Sequence, residues 1–491
     1  METDNRDQTG PEFLAASICP LTPRQQTINI LLYGANVGLI YLGCAVFYVG
    51  MTEAALCQGF HASDEISNLP ASAYSIGAFL PVFVAWYLPF VRVLKPVLAA
   101  SYLSMALAGV LMTAVLLVCG PTSVSAAAAG AAGEMTPSAW LAISAVTVYA
   151  VIVGAANQLV ATFQWEVVGR GIPESRRGQA FALAFGAGPV LAVVGSLGSQ
   201  LILAGKLELP YLDSSLSFHL HQFAIKPLSF PLNYAVLFAA SVPIMALAAL
   251  LSLLFIVPQP AVEVERQPFV AGVFGGLGEF LNYRTIRYAA VATILIFAGN
   301  LVMGNVSLYT KQVLGTDATS YVGYQNALRF GFKIFAGLAL GWLLAKTSPR
   351  AGLIATALIC FAGVLWAVLV PGKWFMISFG LLGAGELYGN YYPNYILSCS
   401  PTSKMRRNMA LSGMLPMISA PAAVFFGWIS HHYGFNWSFY VAMGIIAATI
   451  FVVIATLPAH PRPRRQDMDA SDLALEGPAP VMAANPQEVS A

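Results

Sequence analysis

The sequence predicts an all-α, polytopic membrane protein with twelve transmembrane helices in two six-helix bundles. Asp, Glu, Lys and Arg make up only 9% of the 491 residues, against about 25% in a soluble domain. Fourteen of these charged residues lie in residues 1–24 and 461–491. The long central part contains apolar runs of about 20 residues, which is the length needed to cross a bilayer core.

Twelve such runs, numbered here as spans in chain order, have the predicted limits 28–51, 70–91, 96–119, 138–165, 178–204, 232–257, 286–310, 320–345, 350–371, 373–397, 409–430 and 436–457. A polar connection between the sixth and seventh spans divides the chain into two halves. We therefore expect a cytoplasmic N-terminal tail, an N-terminal bundle, a cytoplasmic central loop, a C-terminal bundle and a disordered cytoplasmic tail, at residues 1–27, 28–257, 258–285, 286–460 and 461–491.

The distribution of basic residues predicts the orientation, because short loops rich in Lys and Arg stay in the cytoplasm. With the N-terminus inside, 18 of the 24 basic residues lie on the cytoplasmic side. The even number of spans then places the C-terminus inside as well. The sequence thus predicts an integral protein of the plasma (inner) membrane with both termini cytoplasmic.

Several classes of function are excluded by what the sequence lacks. The net charge is only +2, and no basic stripe indicates a nucleic-acid partner. No phosphate-binding loop, metal-ligand spacing or nucleophile motif is present. We therefore predict no enzymatic activity, no cofactor and no metal. The expected partners are the lipid bilayer, a small-molecule solute and H+ as the coupling ion, and a monomer is expected although the oligomeric state stays open.

Ionisable residues inside the spans are the most informative feature. Arg329, Lys333 and Glu386 each lie within a predicted span, where a charge costs about 2.5 to 3.5 kcal/mol on insertion scales. All three must therefore face protein or water. Lys333 and Glu386 each lie about 20 Å from the outer end of their spans at 1.5 Å per residue. Their equal depth predicts an ion pair.

Uncharged polar residues extend this candidate site. Gln325 precedes Arg329 by one helical turn, and Asn390 and Tyr391 follow Glu386 on the tenth span. Asn36, Asn157 and Asn300 lie on the first, fourth and seventh spans. Such residues equally often tie helices together at about 0.6 kcal/mol each. Glu53 and Glu166 lie near span ends and are expected at the membrane interface.

The two halves contain similar segments. The fourth span contains the segment GAANQ from Gly154 and the tenth contains GAGEL from Gly383, with a polar residue, Asn157 or Glu386, at the fourth place of the segment. The loop after the eighth span, GWLLAKTSPRAGL, contains Gly341, Lys346 and Arg350.

This loop resembles the conserved loop of the major facilitator superfamily, and with it the chain resembles that family over nearly its whole membrane portion. The copy in the first half, WYLPFVRVLKPVL, contains Arg92 and Lys95. Ala345 replaces the acidic residue of the family pattern, so the charge latch of the family motif is not expected here. The resemblance implies two bundles that rock about a central site.

The function predicted from these features is secondary active transport of a small polar or anionic organic solute by alternating access, coupled to protons as a symporter. In this hypothesis Arg329 and Lys333 attract an anionic group, and Glu386 pairs with Lys333 until it is released or protonated. The alternative is a permanent ion pair that only locks helices together. Two rival functions are an exporter of amphipathic compounds or drugs and a non-transporting sensor or assembly protein.

Overall fold

The structure is a computed structural model that describes residues 21–88, 90–129, 135–207, 224–258, 268–400 and 405–462. Residues 1–20 of the predicted N-terminal tail and 463–491 of the predicted C-terminal tail lie outside the described residues. All regular structure within the described ranges is helical. The structure therefore agrees with the predicted all-α, polytopic class.

Ten helical segments are long and apolar enough to cross a membrane, and they correspond to ten of the twelve predicted spans. Their bounds are Asp64–Tyr87, Val91–Gly120, Pro137–Gly171, Gln179–Ala204, Leu232–Leu253, Arg284–Leu314, Val322–Leu344, Pro349–Leu369, Arg407–Tyr433 and Phe435–Thr456.

The two remaining spans, the first and the tenth, are interrupted helices. The first span begins with Pro23–Leu42, capped by Thr22, and continues as Cys44–Phe47 and Met51–Gly59. The tenth span consists of Ile377–Gly385 and Tyr388–Ser398. Glu386 lies at the interruption, where the helix Ile377–Gly385 ends.

The seventh span is interrupted too, between Arg284–Asn300 and Met303–Leu314. The seventh span is the first span of the second half, so it corresponds to the first span of the first half. Breaks near mid-span in both leading helices allow their outer pieces to be oriented separately from their inner pieces.

The repeated Gly-Ala segments form equivalent helix crossings in the two halves. A Cβ atom at Gly154 would fall on the backbone of Tyr74, and one at Gly383 would fall on the backbone of Arg329. The fourth span therefore approaches the second as closely as the tenth approaches the eighth. Three residues later, Asn157 and Glu386 lie beside Tyr74 and Arg329, respectively. The weak sequence repeat thus corresponds to an internal structural repeat.

The halves are joined at the outer side, taken here as the side away from residues 21 and 462, the two ends of the described chain. Asn68 Nδ2 donates to Asn305 Oδ1 at 2.6 Å across the second and seventh spans. Gln200 on the fifth span donates to the carbonyl of Ser320 at 2.6 Å and accepts from the N–H of Gly323 at 3.0 Å. These buried contacts close the outer side, which we call the outer gate.

On the inner side, Val82 of the second span and Ala410 of the eleventh share a small apolar cluster, whereas the described parts of the fourth and tenth spans make little or no contact with each other. Polar residues are exposed or half-buried at four-residue spacing on both of these spans. They are Gln158, Thr162 and Glu166 on the fourth, and Asn390, Asn394 and Ser398 on the tenth. Such polar faces require water rather than lipid.

Candidate functional site

The centre of the site is a cluster of two cations and one carboxylate. Arg329 binds Glu386 through two hydrogen bonds, from Nε to Oε2 at 2.8 Å and from Nη2 to Oε1 at 2.5 Å. Lys333 Nζ lies 2.5 Å from the same Oε2. The three side chains are only 8 to 10% exposed. The cluster therefore holds a net charge of +1 deep in the protein.

The local sequence explains how these groups meet. Arg329 and Lys333 are one turn apart on the continuous helix Val322–Lys346 and so share a face. Gly383 lets the tenth span approach the backbone of Arg329 more closely than any other residue would. The interruption at Glu386 then directs its side chain at both cations. The bidentate Arg–carboxylate geometry fixes the orientation of the pair.

The seventh and ninth spans contribute polar contacts around the carboxylate. Asn300 Nδ2 donates to Glu386 Oε1 at 3.5 Å. The thiol of Cys360 in turn donates to Asn300 Oδ1 at 3.8 Å. Three further spans of the second half therefore converge on the helix that carries the two cations.

Aromatic rings of both halves cover the cations. The Arg329 guanidinium carbon lies 5.7 Å from the ring centroid of Tyr48 and 5.3 Å from that of Phe330. Lys333 Nζ lies 5.6 Å and 4.5 Å from the same two centroids. Tyr48 itself stacks on Tyr41, with centroids 5.8 Å apart. Because both tyrosines belong to the first span, the site is shared by the two halves.

The first half presents a neutral pair at the equivalent position. Asn157 Nδ2 donates to the hydroxyl of Tyr74 at 3.2 Å and to the carbonyl of Phe47 at 2.8 Å. Phe47 directly precedes Tyr48 in the chain. The internal repeat therefore places hydrogen-bonding groups without charge next to the segment that covers Arg329 and Lys333.

Four of the residues predicted for the site are placed away from the ion cluster. Gln325 is fully buried and bonds to Ser307 and Thr310 at 2.6 and 2.8 Å, so it ties the eighth span to the seventh. Asn36 is fully buried and accepts from Ser252 at 3.1 Å, within the first half. Tyr391 packs its ring on Gly352 of the ninth span, and Asn390 is exposed on the inner part of the tenth.

The loop residues that resemble the family motif are spread over the inner surface. Gly341 and Lys346 are exposed, and Arg350 donates to the carbonyl of Leu457 at 3.0 Å. In the first half, Arg92 lies over the ring of Phe90 at 4.9 Å, and Lys95 is half-buried. A nearby inner ion pair joins Arg407 of the eleventh span to Glu279 at 2.6 Å.

Sequence reasoning missed several site residues. Tyr48, Tyr74 and Phe330 are aromatic residues in spans rich in such residues, and nothing in their spacing separates a ring beside a cation from a ring in the core. Glu53, which the sequence places near a span end, has a completely buried side chain. Glu166 is partly exposed and pairs with Arg170 at 2.9 Å, as a residue near a span end can do.

Comparison of the sequence with protein-family models and with curated proteins finds no match. Solved structures do match. A D-xylose–proton symporter aligns at a TM-score of 0.58 with 13% identity, covering 89% of this chain and 99% of that one. The E. coli transporter FucP of the major facilitator superfamily, in an outward conformation, aligns at 0.57 with 15% identity, covering 88% and 100%.

The nucleoside transporter NupG aligns at a TM-score of 0.53 with 10% identity, and the alignment covers 88% of this chain and 98% of that one. In all three cases the similarity extends over both halves and almost the full length of the other protein. The identities are too low to transfer a substrate or a residue role. The chain is thus an all-α polytopic membrane protein with the fold of the major facilitator superfamily.

Proposed function

We propose that the protein is a secondary active transporter that moves a small polar or anionic organic solute across the membrane by alternating access, with a proton as the coupling ion. The observation that carries the proposal is the buried cluster of Arg329, Lys333 and Glu386 between the two halves. Its net charge of +1 leaves one cation for an anionic group of the solute. Intramembrane charges of this kind mark substrate and ion pathways.

The neighbouring groups fit such a solute. The guanidinium of Arg329 suits a carboxylate or phosphate, because its donors match two oxygens at once. Tyr48 and Phe330 offer ring surface for an apolar part. Tyr74 and Asn157 offer neutral hydrogen bonds for hydroxyl or amide groups. In this proposal the anionic end of the solute faces the second half of the protein, and its neutral end faces the first.

The arrangement of the halves is consistent with one state of an alternating-access cycle. The outer gate is closed by buried hydrogen bonds such as Asn68 to Asn305. The polar faces of the fourth and tenth spans are exposed on the inner side. We take this as an inward-facing state, in which solute reaches the cluster from the side of the termini. Those termini are cytoplasmic and the membrane is the plasma membrane in this proposal, as the basic residues favour.

Proton coupling follows from competition for the same donors. Glu386 uses the N–H groups of Arg329 and Lys333 that an anionic solute requires. A carboxylate deprived of both cations is costly to keep ionised in a buried site, and protonation removes that cost. The anion and the proton therefore bind together. This reasoning favours symport over exchange of the anion for a proton.

The test is transport by the purified chain in proteoliposomes. A thermal-shift screen of organic acids selects the solute, since a ligand at 100 times its Kd stabilises the folded state by about 2.7 kcal/mol. Arg329→Ala should lose the shift, while Arg170→Ala, a matched change near the inner surface, should keep it. Glu386→Gln should abolish uptake driven by a pH gradient and spare solute exchange. Unchanged driven uptake in Glu386→Gln would reject the coupling role and leave the ion pair structural.

One rival function is supported by the rings of Tyr41, Tyr48 and Phe330, which contact one another beside the cations. An aromatic surface of this kind also suits an amphipathic compound, as an exporter would require. Uptake and efflux of a labelled solute in vesicles of one orientation separate the two functions. Net efflux of amphipathic compounds, with no uptake of any organic anion, would favour the exporter.

A further inference from the structure

A second buried carboxyl group, separate from the ion cluster, lies behind the outer gate. Glu53 is on the short helix Met51–Gly59, the outermost piece of the interrupted first span, and it is 0% exposed. Its Oε2 accepts from the N–H of Gly50 at 2.8 Å. Its Oε1 has no hydrogen-bond partner in the described part of the chain, and neither does the buried hydroxyl of the adjacent Thr52.

This environment does not suit an ionised carboxylate. No Lys, Arg or His forms an ion pair with Glu53 among the described residues. An isolated charge without a partner in an apolar interior costs far more than a neutral carboxylic acid in the same place. The closed outer gate therefore accommodates the protonated form.

The surroundings contain few groups that compete for the proton. Within electrostatic reach are the cation Arg329 and the weakly acidic side chains Cys57, Tyr74, Tyr149 and Tyr234. Other charged residues on helices that pack against Met51–Gly59 are Asp64 and Glu65 on Asp64–Ser67, Lys311 on Met303–Leu314, Lys333 and Lys346 on Val322–Lys346, and Glu166 and Arg170 on Pro137–Gly171. Lys311 pairs with Asp317 at 3.1 Å. Lys311 and Asp317 are mostly exposed to solvent, so neither belongs to the immediate surroundings of the buried carboxyl.

Both halves build the cover over Glu53. The helix Met51–Gly59 packs against Met303–Leu314 of the seventh span and against Ala318–Ser320. Tyr234, one of the rings near the carboxyl, shares a hydrogen bond of 2.9 Å with Thr319 across the two halves. Separation of the halves at the outer gate therefore removes part of this cover and admits water to the carboxyl.

We propose that Glu53 is a proton-binding site of the outer gate, which ionises when the gate opens to external water and takes up one proton when it closes. External acid then favours the closed gate, and external base favours the open one. The proposal rests on alternating access but not on the identity of the solute or on the roles of Arg329 and Glu386. In this proposal Glu53 is a second titrating group, on the half of the protein opposite to Glu386.

The experiment measures gate closure directly. Spin labels are attached at Lys226→Cys and Thr316→Cys, which are exposed outer positions of the two halves, in full-length protein carrying Cys19→Ser. Label distances are recorded in nanodiscs between pH 6 and 8. One proton taken up on closing changes the ratio of closed to open gates by at most about tenfold per pH unit, at pH values where the carboxyl is ionised in the open gate and protonated in the closed one. Glu53→Gln, a neutral isostere, should hold the gate closed and remove this dependence.

Three further variants complete the test. Glu53→Asp keeps a titrating carboxyl and should keep a pH-dependent distance. Glu166→Gln makes the same chemical change at the inner surface and should behave like the wild type. His431→Ala removes an imidazole from the outer side and should also leave the dependence intact.

Two results would overturn the proposal: a wild-type distance distribution that does not change with pH, or a Glu53→Gln protein that keeps the wild-type dependence. Because the readout uses no solute, loss of the dependence in Glu53→Gln supports the proposal even if no organic anion is ever transported. Conversely, solute binding that fails in Arg329→Ala with a normal gate response supports the central site independently.

Discussion

Neutralising Glu386 is expected to destabilise the protein more than neutralising either of its partners. The carboxylate receives two hydrogen bonds from Arg329 and one contact from Lys333, at 2.8, 2.5 and 2.5 Å. Glu386→Gln leaves two buried cations without a counter-charge. Removing one member of a buried ion pair costs about 3 to 5 kcal/mol, so a loss of at least this size is expected here.

Lys333→Met should have a much smaller effect, because the bidentate pair of Arg329 and Glu386 remains balanced. Apolar replacement of buried charge is often neutral or stabilising. The double variant Glu386→Gln, Lys333→Met should recover part of the loss, since it removes one of the two uncompensated cations. The recovered free energy measures the coupling between the two residues, within a range of about 0.5 to 3 kcal/mol.

The assay is unfolding of the purified protein in one detergent, followed as the fraction that stays monodisperse on heating or in denaturant. Glu166→Gln is the matched control, because its pair with Arg170 is partly exposed and such pairs contribute about 0 to 1 kcal/mol. Two results would contradict this prediction: a Glu386→Gln protein as stable as the wild type, or a double variant that is no more stable than Glu386→Gln alone.

Three other predictions follow from the described contacts. Gly154→Val and Gly383→Val should each prevent normal folding, because the new side chains meet the backbones of Tyr74 and Arg329. The measurement is loss of monodisperse protein. Gly337→Val is the control and should be tolerated, because there is open space around Gly337. Arg329→Lys should raise KM for an anionic solute at least tenfold, because a lysine cannot replace bidentate binding; equal KM values would contradict this. Glu279→Ala should change stability by at most about 1 kcal/mol, since its pair with Arg407 is substantially exposed, and a larger loss on unfolding would show a structural role.

The sequence predicts the fold well because the bilayer imposes a simple rule on it. Long apolar runs and basic loops follow from the energy of burying charge in lipid, and that energy depends only on local sequence. Ten spans appear as expected. The first, seventh and tenth spans are interrupted, however, and the break in the tenth lies three residues after the close approach of Gly383 to Arg329, a tertiary contact that the sequence does not reveal.

Only the charged residues of the candidate site can be predicted from the sequence. Arg329, Lys333 and Glu386 stand out because their cost in lipid is large, and equal depth already brings Lys333 and Glu386 together. Their rotation about each helix axis is set by packing, which explains why Gln325 and Asn36 bond within their own halves instead. The burial of Glu53 could not be predicted for the same reason. Its position near a predicted span end does not show that both halves pack over its side chain.

The internal repeat explains how the two halves take different roles in the proposed function, with the charged groups in the second half and neutral polar groups in the first. Asn157 and Tyr74 occupy the places that Glu386 and Arg329 occupy in the second half, at the same kind of glycine crossing. If both halves carried the ion pair, an anionic solute would meet two equivalent cation sites and bind in either direction. Charge on one half only fixes one orientation, so the solute can bridge the halves as they close. The second carboxyl, Glu53, lies on the neutral half, which allows proton binding at the gate to be controlled separately from proton binding at the solute site.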